Sequence, residues 1–403
     1  MTKYYLSKFR NIIFLIIISV LFGLIRHILL GRMLTKSDFG IYALSMTIIG
    51  MLYPILLFGQ QRGLVRFFVN NKIEEYNWAK PISVLIKLSL LLSMIIVPFI
   101  AWYYHMNYAF SCFCILAILS SIISELLSNL VRSSKLFELS IFLHRAIRII
   151  LSILAILFFL FGIDSLDIIF IAFGITHIIY GVLLYYYVTK IIRSGNRKVP
   201  SDSLKDGVYF SLMDITILAN IYGINVIIAS LISVEALGAF FAITIILRVF
   251  EIFIQSTDFI LMPSSGELDY HSILIIIGKT FIIGTFLSLL FVLYGRNLLS
   301  LLYNHKYDAY LELIPYVSII GLIKMIDVVP SSIISGAFSS KILKKYLNMN
   351  LILPVILVPL SIILINSIEL KGAMISLIVV YLLKAVFGYS ILIKQNDSFL
   401  KAN

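Results

Sequence analysis

The apolar runs of this sequence are so long and so frequent that they fix the solvent in which the chain folds. From Ile12 to Ile25 it reads IIFLIIISVLFGLI, and similar runs recur to the end of the sequence, separated by short polar breaks. A helix needs ~20 residues to cross a ~30 Å hydrocarbon core. Within lipid every backbone N–H and C=O must find a partner inside the spanning structure, which leaves helices or closed barrels. Barrel strands alternate apolar and polar residues over ~10 positions, and these runs do not alternate. Only 13% of the residues are charged, against about 25% in soluble domains. The expected fold class is all-α and integral to the membrane.

Spans are expected near 9–30, 39–58, 81–102, 110–131, 144–161, 165–189, 208–231, 236–262, 273–294, 311–329, 346–366 and 372–393. The first follows a short basic stretch, as a signal peptide does, but no small-residue cleavage site comes after it. It is read as a retained helix. Cys112 and Cys114 share one run, stand two positions apart on different helix faces, and are read as small core residues. No metal site and no cofactor is expected.

The net charge of +12 would suggest nucleic acid on a soluble protein. Here its placement points elsewhere. With the N-terminus in the cytoplasm, 22 Lys and Arg count toward the inner side and 6 toward the outer side. That bias predicts cytoplasmic N- and C-termini and an even number of spans. The basic collar then faces anionic lipid headgroups, and no nucleic-acid partner is expected. The longest polar break, around Lys190 to Asp206, reads as a linker. The expected organisation is a six-helix lobe at 1–190, a cytoplasmic linker at 191–206 and a second six-helix lobe at 207–403.

Two short internal matches support this division. Leu34-Thr-Lys-Ser-Asp-Phe-Gly40-Ile-Tyr-Ala aligns with Ile232-Ser-Val-Glu-Ala-Leu-Gly238-Ala-Phe-Phe at an offset of 198. Ser133-Ser-Lys-Leu136 aligns with Ser339-Ser-Lys-Ile342 at an offset of 206. Each pair falls at corresponding places in the two halves. Parallel repeats related by a pseudo-two-fold axis along the membrane normal are an architecture of alternating-access carriers.

The stretch Gly31-Arg-Met-Leu-Thr-Lys-Ser-Asp-Phe-Gly40-Ile-Tyr-Ala, followed by GQQRGLVRFFV from Gly59, resembles the opening of polysaccharide-repeat flippases. That family shares a superfamily, MOP, with MATE-type multidrug exporters and lipid II flippases. Gly238 to Pro263, running on into SSGEL, looks like its eighth helix, and Gly372-Ala-Met-Ile-Ser-Leu is similar to the start of its twelfth. Twelve spans fit the O-antigen (Wzx-type) branch better than lipid II flippases, which usually have fourteen. The resemblance implies a MATE-like fold and a bacterial inner-membrane location. It implies export of an undecaprenyl-diphosphate-linked oligosaccharide, with membrane lipids, a polysaccharide polymerase and a chain-length regulator as partners.

Ionisable side chains at membrane depth cost ~2.5–3.5 kcal/mol each on insertion scales and usually mark a pathway. Arg248, Glu251, Gln255 and Asp258 lie within an arc of about 80° on one helix. They are read either as pathway-lining or as a structural pair between Arg248 and Glu251. Lys324 and Asp327, three apart, read as a self-satisfied pair or as pathway groups, with Pro330 expected to break the helix just beyond. Arg26, Lys87 and Lys384 either face inward or snorkel to the headgroups. Glu125 and Asp214 are candidates for ion coupling or charge pairing, as are Glu251, Asp258 and Asp327. A cationic cavity formed by Arg26, Lys87, Arg248 and Lys324 would suit a diphosphate, because Arg presents a planar fork of donors and Lys a point charge. The alternative is a MATE-type multidrug or cation antiporter, in which the carboxylates would dominate. An enzyme is not expected: the histidines are scattered, and the sequence contains no H-E-x-x-H and no Walker A motif.

Overall fold

A computed structural model describes residues 2–69, 71–265, 270–338 and 340–399. Within them the chain is helical throughout, with one isolated β-bridge between Tyr76 and Arg197. The helices are α1 (Thr2–Met33), α2 (Lys36–Leu56), α3 (Gln60–Val69), α4 (Ala79–Tyr103), α5 (Tyr108–Ser133), α6 (Phe137–Phe161), α7 (Leu166–Ile191), α8 (Ser201–Leu231), α9 (Val234–Ile243), α10 (Leu247–Ser264), α11 (Tyr270–Leu302), α12 (Ile314–Ala337) and α13 (Ser340–Phe399).

Ten stretches of the described residues are long and apolar enough to span a membrane. The other two of the twelve expected spans fall in α8 and α13. Leu218–Leu231 of α8 forms a shorter apolar helix. The C-terminal 60-residue helix holds two spans, because it breaks at Ile368 and Glu369. Glu369 sits at φ +51°, a region that L side chains rarely adopt. A Cβ on Gly372 would lie 2.2 Å from the Leu364 carbonyl oxygen. The chain thus turns back so tightly that only glycine fits there.

The chain divides into two compact units. The first comprises residues 1–34 and 42–218, the second residues 35–41 and 219–403. In the first unit α1 lies against α6 and α5 against α7. Its aromatic core stacks Phe113 on Phe170, with ring centroids 4.8 Å apart and planes 13° from parallel. The linker after α7 docks on the loop before α4. Arg197 N donates to the Glu75 carbonyl at 3.1 Å, and Asn77 N to the Arg197 carbonyl at 2.7 Å. Trp78, fully buried, anchors that loop.

In the second unit α12 is flanked by α10, α11 and α13. The first turn of α2 belongs to this unit, and it explains the first internal match. Thr35 Oγ1 accepts from Asp38 N at 3.1 Å, and Ser233 Oγ accepts from Ala236 N at 3.0 Å. Both are hydroxyl N-caps on the third following amide, which would otherwise be an orphan donor. Five residues on from each cap, Gly40 and Gly238 meet. A Cβ on Gly238 would lie 2.8 Å from Gly40 N, and one on Gly40 would lie 2.1 Å from the Val234 carbonyl oxygen. Of the second match, Ser339 lies outside the described residues.

Pro330 does not break α12, which continues to Ala337. Proline has no N–H, so the carbonyl four residues back, on Ile326, loses its helical donor. The Tyr389 hydroxyl of α13 donates to that carbonyl at 3.0 Å. In lipid such a carbonyl needs a partner from a neighbouring helix. Cys114 is buried, as expected, while Cys112 is exposed.

Candidate polar sites within the membrane

In the second unit, α10 and α12 bring two cations to one carboxylate. Arg248 Nη1 lies 2.8 Å from Glu251 Oε2, one helical turn away. Lys324 Nζ, from α12, lies 3.8 Å from Glu251 Oε1. The same ammonium sits over the Tyr381 ring, 5.4 Å from its centroid, where the quadrupole of the ring favours a cation. Two positive groups against one negative leave this trio cationic. Phe250, the neighbour of Glu251 in sequence, closes on Gly321, where a Cβ would lie 2.6 Å from the ring. That contact holds α10 and α12 close beside the trio.

The expected partnership of Lys324 with Asp327 does not form. Lys324 turns toward α10, and Asp327 turns toward α13. There Lys384 Nζ lies 2.7 Å from Asp327 Oδ2. Asp327 is 4% exposed, and its Oδ1 has no hydrogen-bond partner among the described residues. Lys384 is therefore held by a carboxylate and does not reach for headgroups. Asp258 Oδ1 accepts from Ser332 Oγ at 2.5 Å, which ties α10 to α12 again.

The first unit has its own polar band. Arg26 is 7% exposed and does not snorkel. Its Nε has no hydrogen-bond partner among the described residues, and it lies close enough to the buried His177 of α7 to act on it electrostatically. Next to it in α1, His27 Nδ1 lies 3.4 Å from the Tyr42 hydroxyl. Glu125 of α5 is held by two groups. Its Oε1 accepts from Asn129 Nδ2 at 2.8 Å, and its Oε2 lies 3.3 Å from His144 Nδ1 of α6. Lys87 is exposed on α4, on the face that also exposes Val84, Leu88 and Leu91. The Asp214 side chain lies outside the described residues.

The structure adds side chains that the span boundaries hid. Arg145 and Arg148 count as inner-side charges at the start of the span expected from 144. In the structure α6 begins at Phe137, so both lie two to three turns inside it. Arg145 Nη1 donates to Ser19 Oγ of α1 at 3.4 Å. The residues from Phe137 to Leu143 include no Gly and no Pro, and this unbroken run is the signal that extends the helix. His177 stands alone in an apolar run, and nothing local marks it.

Comparison with known proteins places these sites in a setting. Three solved structures of the same fold are similar over nearly the whole chain. One is the MATE multidrug transporter DinF-BH, at TM-score 0.66 and 14% identity, covering 98% of this chain and 96% of that one. Another is an inward-facing multidrug resistance MATE family transporter of the MOP superfamily, at TM-score 0.65 and 13% identity, covering 95% and 96%. The third is a MOP superfamily transporter from Pyrococcus furiosus, at TM-score 0.58 and 14% identity, covering 94% and 92%. These likenesses establish the MATE-like fold. No curated protein sequence matches the chain. A family model described as polysaccharide biosynthesis protein matches residues 8–264, well over half of the chain. This multi-pass membrane chain belongs to the polysaccharide biosynthesis protein family.

Proposed function

We propose that this MOP-superfamily transporter is a flippase. Its cargo is an oligosaccharide repeat unit linked to undecaprenyl diphosphate. It carries this cargo from the cytoplasmic to the outer leaflet of the bacterial inner membrane, by alternating access, with both termini in the cytoplasm. The two compact units are the two moving lobes of that cycle. The family match supports a role in polysaccharide synthesis, and the fold supports a transporter and not an enzyme.

The observation that carries the substrate reading is the Arg248–Glu251–Lys324 trio. A diphosphate head brings about two negative charges and several acceptor oxygens. Guanidinium and phosphate match as a bidentate fork, and Lys324 adds a point charge. Tyr381 and Gln255 offer hydrogen-bonding groups near the trio, which the hydroxyls of a sugar need when they leave water. The isoprenoid tail needs only lipid. The neighbour from Pyrococcus furiosus is described as having a binding pocket of reverse polarity that suggests a different function. A cationic trio on this fold supports an anionic cargo for this chain. Arg26, buried in the first unit, is assigned to the same anion-binding role there.

The membrane potential favours this direction of travel. Moving one charge across ~100 mV is worth ~2.3 kcal/mol. A dianionic head leaving a negative interior therefore moves downhill. The test is flipping of a fluorescent polyprenyl-diphosphate oligosaccharide in proteoliposomes. Wild-type protein is expected to expose the sugar at the far leaflet. If cationic dyes are exported instead and the lipid-linked sugar stays in place, the antiporter reading replaces this one.

A further inference from the structure

The anion-binding reading leaves one titratable contact of the first unit without a use. His144 Nδ1 of α6 stands 3.3 Å from Glu125 Oε2 of α5. Both side chains are partly exposed. We propose that His144, paired with Glu125, is a proton-binding site within the membrane-spanning part of the first unit.

The site is built from three helices. Asn129 Nδ2 donates to Glu125 Oε1 at 2.8 Å and fixes the carboxylate with its second oxygen turned to the imidazole. The α6 backbone beside the ring is pinned from both sides. The Tyr180 hydroxyl of α7 donates to the Leu143 carbonyl, and Ser124 Oγ of α5 donates to it at 3.4 Å. Glu125 lies about two turns from the end of α5, and His144 about two turns from the start of α6. Both are therefore removed from the chain breaks that carry the surface charge.

Histidine is the side chain whose unperturbed charge change falls between pH 5 and 8. With Nδ1–H donating to the carboxylate, Nε2 holds the free lone pair. A proton delivered by hydronium binds there, releases water and leaves an imidazolium facing a carboxylate. A neutral hydrogen bond between α5 and α6 thus becomes an ion pair. Among the described residues, the charged groups that act on the ring are Glu125 from α5 and Arg145 and Arg148 from its own helix, and from α7 the Tyr180 hydroxyl reaches the adjacent Leu143 carbonyl. From α1 comes the neutral Ser19, which accepts from Arg145. The two guanidiniums repel an added positive charge, and the Glu125 carboxylate attracts it. Among the described residues no cluster of three metal-ligating side chains occurs, and one carboxylate beside two guanidiniums suits a proton better than a divalent cation.

Only the use made of this proton rests on the transporter reading; its binding does not. The experiment is an NMR titration of histidine-labelled full-length protein in nanodiscs, with the His144 signal assigned by its loss in His144→Gln. Glu125→Gln is expected to move the His144 midpoint down by about a pH unit or more. Glu125→Asp, which draws the carboxylate back but keeps its charge, is expected to move it less, in the same direction. An unchanged or raised midpoint in Glu125→Gln overturns the proposal. In proteoliposomes, an imposed pH difference is expected to change the flipping rate at least fivefold in wild type and less than twofold in His144→Gln. A full pH response in His144→Gln also overturns it. If the midpoint moves while no lipid-linked sugar is flipped, the substrate reading fails and the proton site stands.

Discussion

Gly40 and Gly238, equivalent residues of the internal repeat, touch each other. Each stands five residues after a hydroxyl N-cap, Thr35 and Ser233, and together they let the first turns of α2 and α9 cross at backbone distance. A side chain on either glycine would meet backbone atoms, which cannot swing aside as a rotamer can. Overfilling a close contact costs ~1–3 kcal/mol even where neighbours can yield.

Gly40→Ala and Gly238→Ala are therefore expected to lower the thermal unfolding midpoint in detergent markedly. Gly23→Ala is the contrast, because a Cβ there meets nothing within 4 Å and alanine favours the helix by up to ~1 kcal/mol. Fluorescence-detected size-exclusion chromatography after heating ranks the three. Equal loss in all three would show that the crossing carries no special constraint.

The link between Tyr389 and Ile326 makes a prediction about coupling. Tyr389→Phe strands the Ile326 carbonyl, a loss of ~1–3 kcal/mol for a buried acceptor. Pro330→Ala restores an amide N–H four residues ahead of that carbonyl. In the Pro330→Ala background Tyr389→Phe is then expected to cost little. A double-mutant cycle by chemical unfolding measures the difference, and strict additivity would rule the compensation out.

Lys384→Met leaves Asp327 buried beside no cation, and removing one partner of a buried pair costs ~3–5 kcal/mol. The double variant Asp327→Asn with Lys384→Met removes both charges and is expected to recover most of the folded yield. Yield and melting temperature in detergent check this. A double variant as unstable as the single one would mean that Lys384 stabilises α13 through something other than Asp327.

Much of this architecture is written in the sequence because lipid restricts the chain to helices of fixed minimum length. The twelve apolar runs, the break before Gly372 and the Thr35/Ser233 match all have structural counterparts. The i, i+3 spacing of Arg248 and Glu251 also corresponds to an observed pair. The same spacing misleads for Lys324 and Asp327, since spacing along α12 cannot say which neighbouring helix each side chain meets. Asp327 finds Lys384 57 positions away, and Lys324 finds Glu251. With a span expected to start at 144, Arg145 and Arg148 count as inner-side charges. Their helix begins earlier and holds Arg145 against α1. The pairing of His144 with Glu125 depends on how α5 and α6 face each other, which no local pattern reports.

Glu251 separates the two transport readings. A cationic drug would need its carboxylate, whereas a diphosphate would be repelled by it. Glu251→Gln is expected to keep lipid-linked sugar flipping within about threefold of wild type, with Arg248 and Lys324 still present. Loss of flipping together with retained dye export would favour the antiporter.

Flipping by the Arg248→Gln, Lys324→Gln double variant is the most direct measurement. Each position keeps a hydrogen-bonding side chain and loses its positive charge. With insertion and melting temperature matched to wild type, flipping of the diphosphate-linked oligosaccharide is expected to fall at least tenfold. A rate equal to wild type would contradict an anion-binding role for the pair.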